Sequence, residues 1–274
     1  MATLDSLGLA VTPLEEPLAY PGRLPGGSYL LVDDRLVTLR DDAGHALGQS
    51  SVDAGEDAVC AARLAGAVSL DAALSSLHAA PMRARAPVVA VGSNAAPAQL
   101  RAKLRARAVQ VVVPVLQARI TGLGVGHSAH VARAGYVPAA PFAQPGARAR
   151  LFLLWLDAAQ RDAVDGTEPS YRRQRLSEAC TVALPGGRRL AGVELYRSRH
   201  GLVSLDGTVP LPLGSQHEVI GLLRQRLDVD ELQAWPGVEA FVRVCAGSRA
   251  LRERVASRLG ELGLVAPDHL QGQG

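Results

Sequence analysis

A short apolar run that ends in a tight polar loop most constrains how this chain can fold. Pro87 to Asn94 reads PVVAVGSN, in which small and β-branched residues stop abruptly at Gly-Ser-Asn. The run predicts a buried strand, and residues 95–107, with few helix breakers after Pro97, predict a helix behind the loop. Strand, loop and helix would meet at one point, where backbone N–H groups can face an anionic ligand. We expect the functional site there.

Length and composition indicate a soluble globular protein. The 274 residues are 48% hydrophobic, which is enough to bury a sizeable core. The chain shows neither the pattern of an N-terminal targeting signal nor an apolar run approaching the roughly 20 residues that span a bilayer. We therefore expect a cytoplasmic protein that does not bind membranes. The abundance of arginine and alanine is typical of a GC-rich, bacterial genome.

The cysteines and the basic residues suggest neither a disulfide scaffold nor a nucleic-acid partner. Cys60, Cys180 and Cys245 are far apart in sequence, and we expect them in the core. The formal charge is only +3 and 4% of the residues are aromatic, which argues against nucleic-acid binding. One group of basic residues is predicted to form a solvated helix face. It comprises Arg83, Arg85, Arg101, Lys103, Arg105 and Arg107.

Three regions of the chain differ in their predicted structure. Residues 1–86 are predicted to be an accessory segment, with a hairpin of Ser28–Val32 and Leu36–Leu39 and helices capped by Asp53 and Ser69 that end near Leu64 and Leu77. Residues 87–215 are predicted to be the core. Its further strands are expected at Val109–Val115, Arg119–Gly126, Leu151–Leu156, Leu176–Leu184 and Gly192–Arg197. A helix is expected at Ala158–Asp165, with Asp157 before it and Gly166 after it. Residues 216–274 are predicted to be helical at 216–227, 230–235, 237–245 and 248–262.

Glu168 is the ionisable residue that most suggests chemistry. It follows a short helix that itself follows a buried strand, and Pro169 keeps its backbone extended. A carboxyl group held in this way near an apolar sheet suits proton transfer at neutral pH. The alternative is a surface glutamate paired with Arg172 or Arg173.

Other chemical signals are weaker. His127 and His130 have no third residue at metal-ligand spacing, so we predict no metal site. The glycine-rich stretch 122–126 lacks the pattern of a dinucleotide-binding loop, and a turn is expected instead. Ser93 lacks the surrounding elbow of a hydrolase nucleophile.

Four pieces of sequence occur in a fixed order between residues 87 and 200. They are Val91–Asn94, Ala139–Asp157, Val164–Arg173 and Gly192–Ser198. In this order they resemble the γ-glutamylcyclotransferase-like superfamily, whose members have a Y-G-S-N loop, a strand after a Pro-Gly turn, and a short helix leading to an acidic segment. The resemblance implies a mixed α/β (α+β) fold, a barrel-like sheet with flanking helices. To this core the chain adds an N-terminal α/β accessory segment and a helical C-terminal segment.

The resemblance also implies an activity on a small-molecule amide. Glu168 matches the catalytic acid/base of enzymes that cyclise a γ-glutamyl amine to 5-oxoproline, a reaction that needs no cofactor. The residues that match or neighbour the binding pocket are Val91, Gly92, Ser93, Asn94, Tyr171 and Tyr196, together with a possible pocket loop that contains His127, Ser128, His130 and Tyr136. An intramolecular attack would gain much of its rate from a substrate held in a curled conformation.

Two departures from the family pattern leave other functions open. Val91 stands where the family has a tyrosine, and the segments before and after the core exceed the minimal domain. A non-catalytic module that binds a small ligand is one alternative. An amidohydrolase, in which water attacks instead of an internal amine, is another.

Overall fold

A hairpin of two long strands, Val112–His127 and Ala139–Leu156, forms the centre of the molecule, which is described by a computed structural model. The structure describes residues 2–40, 46–53, 64, 67, 69–234 and 236–270. The strands are β1 (Ala2–Thr3), β2 (Tyr29–Val32), β3 (Arg35–Arg40), β4 (Ser51–Asp53), β5 (Ala86–Ala90), β6 (Val112–His127), β7 (Ala139–Leu156), β8 (Tyr171–Arg175), β9 (Thr181–Ala183), β10 (Arg189–Leu190), β11 (Glu194–Ser198), β12 (Leu202–Val203) and β13 (Val265–Ala266). The α-helices are α1 (Leu70–Ser76), α2 (Pro97–Arg105), α3 (Ala158–Asp165), α4 (Gln216–Arg226), α5 (Asp230–Gln233), α6 (Val238–Gly247) and α7 (Arg249–Glu261). Short 3-10 turns occur at Pro17–Ala19, Leu47–Gln49, Met82–Ala84 and Ser93–Ala95.

Strands β1 to β11 form one mixed sheet. Its order is β1-β3-β2-β6-β7-β5-β11-β8, with β4 beside β3 and the β9–β10 hairpin beside β6. Strands β5 and β11 are parallel, while β6 pairs antiparallel with both β2 and β7. The mixed α+β class that the sequence predicts is confirmed. In the described residues no pairing joins β1 to β8, so this sheet does not close into a barrel.

Both faces of the sheet are buried, which explains the continuous apolar runs in its central strands. Val89 and Leu153 contribute to one hydrophobic cluster, which includes helix α1. Val88 and Leu154 contribute to the cluster on the opposite face, which includes helices α2 and α3. Each fully buried side chain of this kind contributes about 1.5–3 kcal/mol. Helices α2 and α3 are therefore held on the same face of the sheet, and the candidate site forms beside them.

The central hairpin is longer than the sequence predicts. The two strands expected at 109–115 and 119–126 are one strand, β6, and β7 begins at Ala139 instead of Leu151. Backbone pairing between β6 and β7 continues to the pair His127 and Ala139, and it overrides the turn signals of the intervening prolines and glycines. The register of this pairing shifts between Thr121 and Leu123, and Gly122 between them has a φ of +89°. The loop between β6 and β7 therefore comprises only residues 128–138.

A second difference concerns the strand predicted at Leu176–Leu184. Only Thr181–Ala183 is extended there, and the preceding strand is Tyr171–Arg175. The sequence YRRQR looks too polar for a strand, but all five of its residues pair with β11. Tertiary pairing again determines the element, not local composition.

The terminal regions agree with several predictions. The hairpin of β2 and β3 is confirmed, and the Ser69 side chain caps α1 by accepting a hydrogen bond from the Ala72 amide. The four C-terminal helices are confirmed within a few residues. The helix predicted after Asp53 and the residue Cys60 lie outside the described residues, while Cys245 is buried and Cys180 is half-buried. No helix in the described part of the chain is long and apolar enough to cross a membrane.

The C-terminal helices support the loop that joins β6 to β7. Gln216, at the start of α4, is fully buried, and its side chain both accepts from the Val137 amide and donates to the Val137 carbonyl, each at 2.8 Å. Gly135 has a φ of +90°, and a Cβ at this position would lie 2.2 Å from the Val242 carbonyl oxygen of α6. The 128–138 loop is thus fixed to the C-terminal segment through its backbone.

Candidate active site

The polar loop after β5 leads directly into a helix, as the sequence predicts. Ser93–Ala95 forms a 3-10 turn, Ala96 is the N-cap of α2, and Pro97 occupies its first turn. Proline is favoured there because its missing N–H has no partner within a helix in any case. The first amides of such a turn have no partner within it, and the Ser93 amide faces the Tyr20 hydroxyl.

Glu168 lies in the turn that follows α3. A capping box between Asp157 and Gln160 fixes the start of this helix. After the helix ends, the Tyr171 amide donates to the Glu168 carbonyl at 3.0 Å. Pro169 stands second in this turn, a position that its fixed φ favours. The turn directs the Glu168 side chain back toward α2.

The Glu168 carboxylate makes its polar contacts with the loop and with α2. Its Oε1 accepts a hydrogen bond from Asn94 Nδ2 at 2.9 Å and one from Lys103 Nζ at 2.5 Å. Lys103 also donates to Asn94 Oδ1 at 2.7 Å. The Lys103 and Glu168 side chains are only 10% and 15% exposed. The structure therefore brings together the two parts of the site that the sequence singles out.

Two predictions about charged residues differ from the structure. Arg173 pairs with Asp165 at 3.0 Å and with Glu194 at 2.6 Å, and it makes no ion pair with Glu168. The predicted solvated basic face is only partly correct, because Lys103 belongs to the site and Arg85 is 7% exposed. Arg85 donates to buried oxygen atoms such as the Trp155 carbonyl, so its role is structural.

A cavity of about 530 Å³ opens where the loop, Glu168 and the 128–138 loop meet. Its size and largely apolar wall suit a small molecule. The predicted residues that line it are Val91, Gly92, Ser93, Asn94, His130, Tyr136, Glu168, Tyr171 and Tyr196. Lys103, Arg133 and Tyr20 also line it, and the sequence did not assign them to the site.

Tyr20 comes from the N-terminal segment. Its ring stacks on that of Tyr136, with centroids 4.4 Å apart and an interplanar angle of 23°. Its hydroxyl accepts a hydrogen bond from the Ala139 amide at 2.7 Å. A Cβ on Gly92 would lie 2.2 Å from the Tyr20 hydroxyl, so only glycine allows this approach. A phenol group therefore lies beside the loop, although position 91 itself is valine.

The other two tyrosines use their hydroxyl protons within the protein. Tyr171 donates to the Ala139 carbonyl at 2.8 Å, and Tyr196 donates to Asp165 Oδ1 at 2.6 Å. Burial raises the pKa of both phenols, so they remain protonated. Their rings form the wall of the cavity, and their hydroxyl groups fix neighbouring elements.

Of the predicted pocket loop, His127 and Ser128 do not reach the cavity. His127 Nε2 accepts from the Gly214 amide at 3.0 Å, and burial lowers the pKa of His127 to about 4. Ser128 is fully buried, and its hydroxyl is 2.7 Å from both His130 Nδ1 and the Ser198 hydroxyl. Both side chains are buried, His127 at the end of the β6–β7 pairing and Ser128 directly after it.

Neither a metal centre nor a serine–histidine pair at the polar loop is found in the described part of the chain. No three His, Cys, Asp or Glu side chains are arranged there to hold a metal ion. His130 stacks on His200 with ring centroids 4.3 Å apart, and burial lowers the pKa of His130 to about 3. Within the described residues, Ser93 makes no hydrogen bond to a histidine. The acidic side chain of Glu168 and the basic side chains of Lys103 and Arg133 line the cavity.

Comparisons with known proteins give likenesses of structure only. No family model matches the chain, and no curated protein matches it. The chain is similar to a solved structure of an uncharacterized protein from Homo sapiens, at 14% identity and a TM-score of 0.34, over 69% of this chain and 93% of that one. It is also similar to a solved gamma-glutamyl cyclotransferase, at 12% identity and a TM-score of 0.32, over 69% of this chain and 92% of that one. At TM-scores below 0.5 these likenesses carry no argument about this chain.

Proposed function

We propose that this protein is an enzyme that cleaves a γ-glutamyl amine or a related amide by intramolecular cyclisation to 5-oxoproline. One observation carries the proposal, namely the Glu168 carboxylate inside the cavity, bonded to Asn94 of the loop. A proton-transferring group must lie within hydrogen-bond reach of a bound substrate. Glu168 meets that condition for a ligand held on the loop, and the order of the sequence motifs supports the same reaction.

Glu168 would act as both base and acid. It takes a proton from the α-ammonium group of the substrate, and the freed amine attacks the γ-carbonyl carbon. The bond from this carbon to the leaving nitrogen then breaks, and Glu168 returns a proton to that nitrogen. The α-nitrogen loses two protons in forming the lactam, and the leaving amine gains two when it departs as an ammonium ion. The protons balance, so no cofactor or external acid is consumed.

Lys103 would hold Glu168 in position. Its ammonium group bonds both Glu168 and Asn94, so it links the acid/base to the loop that binds the substrate. The ion pair also offsets the cost of a carboxylate whose side chain is only 15% exposed. Holding the reacting groups in place is the main requirement for an intramolecular attack.

The test is turnover of a panel of γ-glutamyl amino acids and γ-glutamyl alkylamines, with detection of 5-oxoproline. Glu168→Gln should lower kcat by about 10²- to 10⁴-fold, the usual contribution of a general acid/base. Glu178→Gln is the matched control, because Glu178 is exposed and lies outside the cavity. Equal activity of wild type and Glu168→Gln would remove Glu168 from the mechanism.

The identity of the product separates the alternatives. Release of free glutamate would indicate attack by water and hence an amidohydrolase. A rise in melting temperature with these compounds, without any product, would favour a module that only binds a small ligand.

A further inference from the structure

The hydroxyl group of Tyr20 faces the candidate site from outside the predicted core. Tyr20 follows the 3-10 turn Pro17–Ala19 and is 7% exposed. It lines the same cavity as Glu168, and its oxygen lies directly over Gly92. The N-terminal segment therefore contributes one side chain to the cavity wall beside the polar loop.

The hydrogen-bond groups of this phenol are only partly used. A tyrosine hydroxyl can accept hydrogen bonds and donate one. The oxygen of Tyr20 accepts from the Ala139 amide at 2.7 Å. Among the described residues, no acceptor receives its O–H hydrogen. The Ala139 amide is a donor and cannot accept this hydrogen. The hydrogen is therefore available to a molecule in the cavity.

The other tyrosines differ in this respect. Tyr171 and Tyr196 donate to Ala139 and Asp165, and Tyr29, outside this cavity, donates to the Ala95 carbonyl. Tyr136 has the Ser93 side chain as its hydrogen-bonding neighbour. Among the described tyrosines, only Tyr20 combines a hydroxyl oxygen that accepts from a backbone amide with a hydroxyl hydrogen that no acceptor receives.

The Tyr20 phenol stays protonated over the working pH range. Burial raises the pKa of Tyr20, and the nearby Tyr136 and Glu168 raise it further, while the Ala139 and Ser93 amides lower it. A group of this kind does not exchange protons with the substrate. It can offer a fixed hydrogen bond from a side chain that is itself almost buried, and burial strengthens such a bond.

We infer that the Tyr20 hydroxyl donates a hydrogen bond to the γ-carbonyl oxygen of the substrate and stabilises that oxygen as it becomes an oxyanion. This inference rests on the proposed cyclisation. A substrate held on the loop would have Glu168 near its reacting nitrogen and Tyr20 near its carbonyl oxygen. The inference assigns a function to the N-terminal segment, which completes the site instead of only covering it.

The main test compares Tyr20→Phe with Tyr29→Phe as a matched control. Each variant removes one hydroxyl from a buried ring, but only Tyr20 lines the cavity. Tyr20→Phe should lower kcat about 10²- to 10³-fold, as for loss of an oxyanion donor, with little change in KM. Tyr29→Phe should keep the kcat of the wild type. A Tyr20→Phe enzyme whose kcat lies within about twofold of wild type would overturn the inference.

A binding measurement makes the two proposals separately testable. The lactam carbonyl of 5-oxoproline should also accept from Tyr20, so this compound should raise the melting temperature of wild type and Tyr29→Phe but not of Tyr20→Phe. Such binding without turnover of any amide would overturn the cyclisation and support the hydroxyl contact. Turnover by wild type with unchanged kcat and binding in Tyr20→Phe would overturn the Tyr20 contact alone. Absence of both turnover and binding in wild type would overturn both.

Discussion

The Lys103 ammonium donates a hydrogen bond to the Glu168 carboxylate at 2.5 Å, although the two residues are 65 positions apart in sequence. Both side chains are almost buried, and Asn94 bonds each of them. Helix α2 and the turn after α3 are therefore held together by charge at the cavity. We expect this ion pair to contribute both to stability and to the proposed chemistry. Unfolding experiments and kinetic measurements can test these two contributions separately.

Lys103→Met should be costly for stability and activity. It removes the cation and leaves the Glu168 carboxylate almost buried without an opposite charge, which should lower the free energy of unfolding by about 3 kcal/mol. We expect 5-oxoproline formation to fall at least about tenfold, because Glu168 loses its fixed orientation. Urea unfolding and steady-state kinetics measure the two effects. Arg105→Met, at an exposed position of the same helix, should change stability by less than about 0.5 kcal/mol.

A double-mutant cycle tests whether the two residues act as a pair. If they do, Lys103→Met combined with Glu168→Gln should be less destabilised than the sum of the single variants, by about 0.5–3 kcal/mol. The double variant has no unpaired charge, which is the physical reason for the difference. Strictly additive effects would contradict a direct interaction.

Gly92→Ala should disturb Tyr20. The added methyl group would lie 2.2 Å from the Tyr20 hydroxyl, so the ring must move away from the loop. We expect a loss of about 1–3 kcal/mol in stability, as for other overpacked sites. Thermal unfolding checks this, and Gly27→Ala is the control because a Cβ there meets no atom within 4 Å. Adding Tyr20→Phe to Gly92→Ala should restore part of the stability, and failure to do so would contradict the close contact.

The sequence predicts the parts of the site that local patterns determine. The apolar run before Gly92, the proline at the start of α2 and the capping residue Asp157 each act within a few residues, and the structure contains them as expected. Glu168 was identified in the same way, from its place after a short helix. These features depend on neighbours in sequence, which is why one sequence is enough to find them.

Features that depend on distant contacts could not be predicted. Tyr20 bonds Ala139, 119 positions away, and the surrounding proline-rich segment has no periodic pattern that would indicate burial. In the sequence, Lys103 does not differ in pattern from the other basic residues of its helix. Its role depends on Glu168, which only the fold brings next to it. That it is the only lysine in an arginine-rich chain was the one available signal. The length of β7 likewise depends on its pairing with β6, not on its own prolines and glycines.

The pH dependence of stability should report the buried His127. Burial lowers the pKa of His127 from 6.5 to about 4. Between these values the unfolded chain binds a proton at His127 that the folded chain does not, so stability is lost as the pH falls through this window. One such histidine changes the free energy of unfolding by about 1.4 kcal/mol per pH unit. His130 adds to the same slope, because burial lowers its pKa to about 3.

His127→Gln should therefore reduce this slope by about 1.4 kcal/mol per pH unit between pH 4 and 6.5. His127 no longer titrates in this variant, whereas His130 and His200, whose pKa values burial also lowers, still contribute. Urea unfolding at several pH values measures it. His217→Gln, at an exposed position, should leave the slope unchanged. An unchanged slope in His127→Gln would show that His127 is not held in its neutral form.

The last prediction concerns the link between the C-terminal helices and the cavity. Gln216 is fully buried and satisfies both the N–H and the C=O of Val137, one residue after Tyr136. Gln216→Leu leaves both backbone groups without a partner, so it should lower the free energy of unfolding by about 3 kcal/mol. The loop that carries Tyr136 and His130 would also become less ordered, which should raise KM more than it lowers kcat. Faster hydrogen exchange of the Val137 amide should accompany these changes, whereas Gln225→Leu, at an exposed position of the same helix, should show none of them.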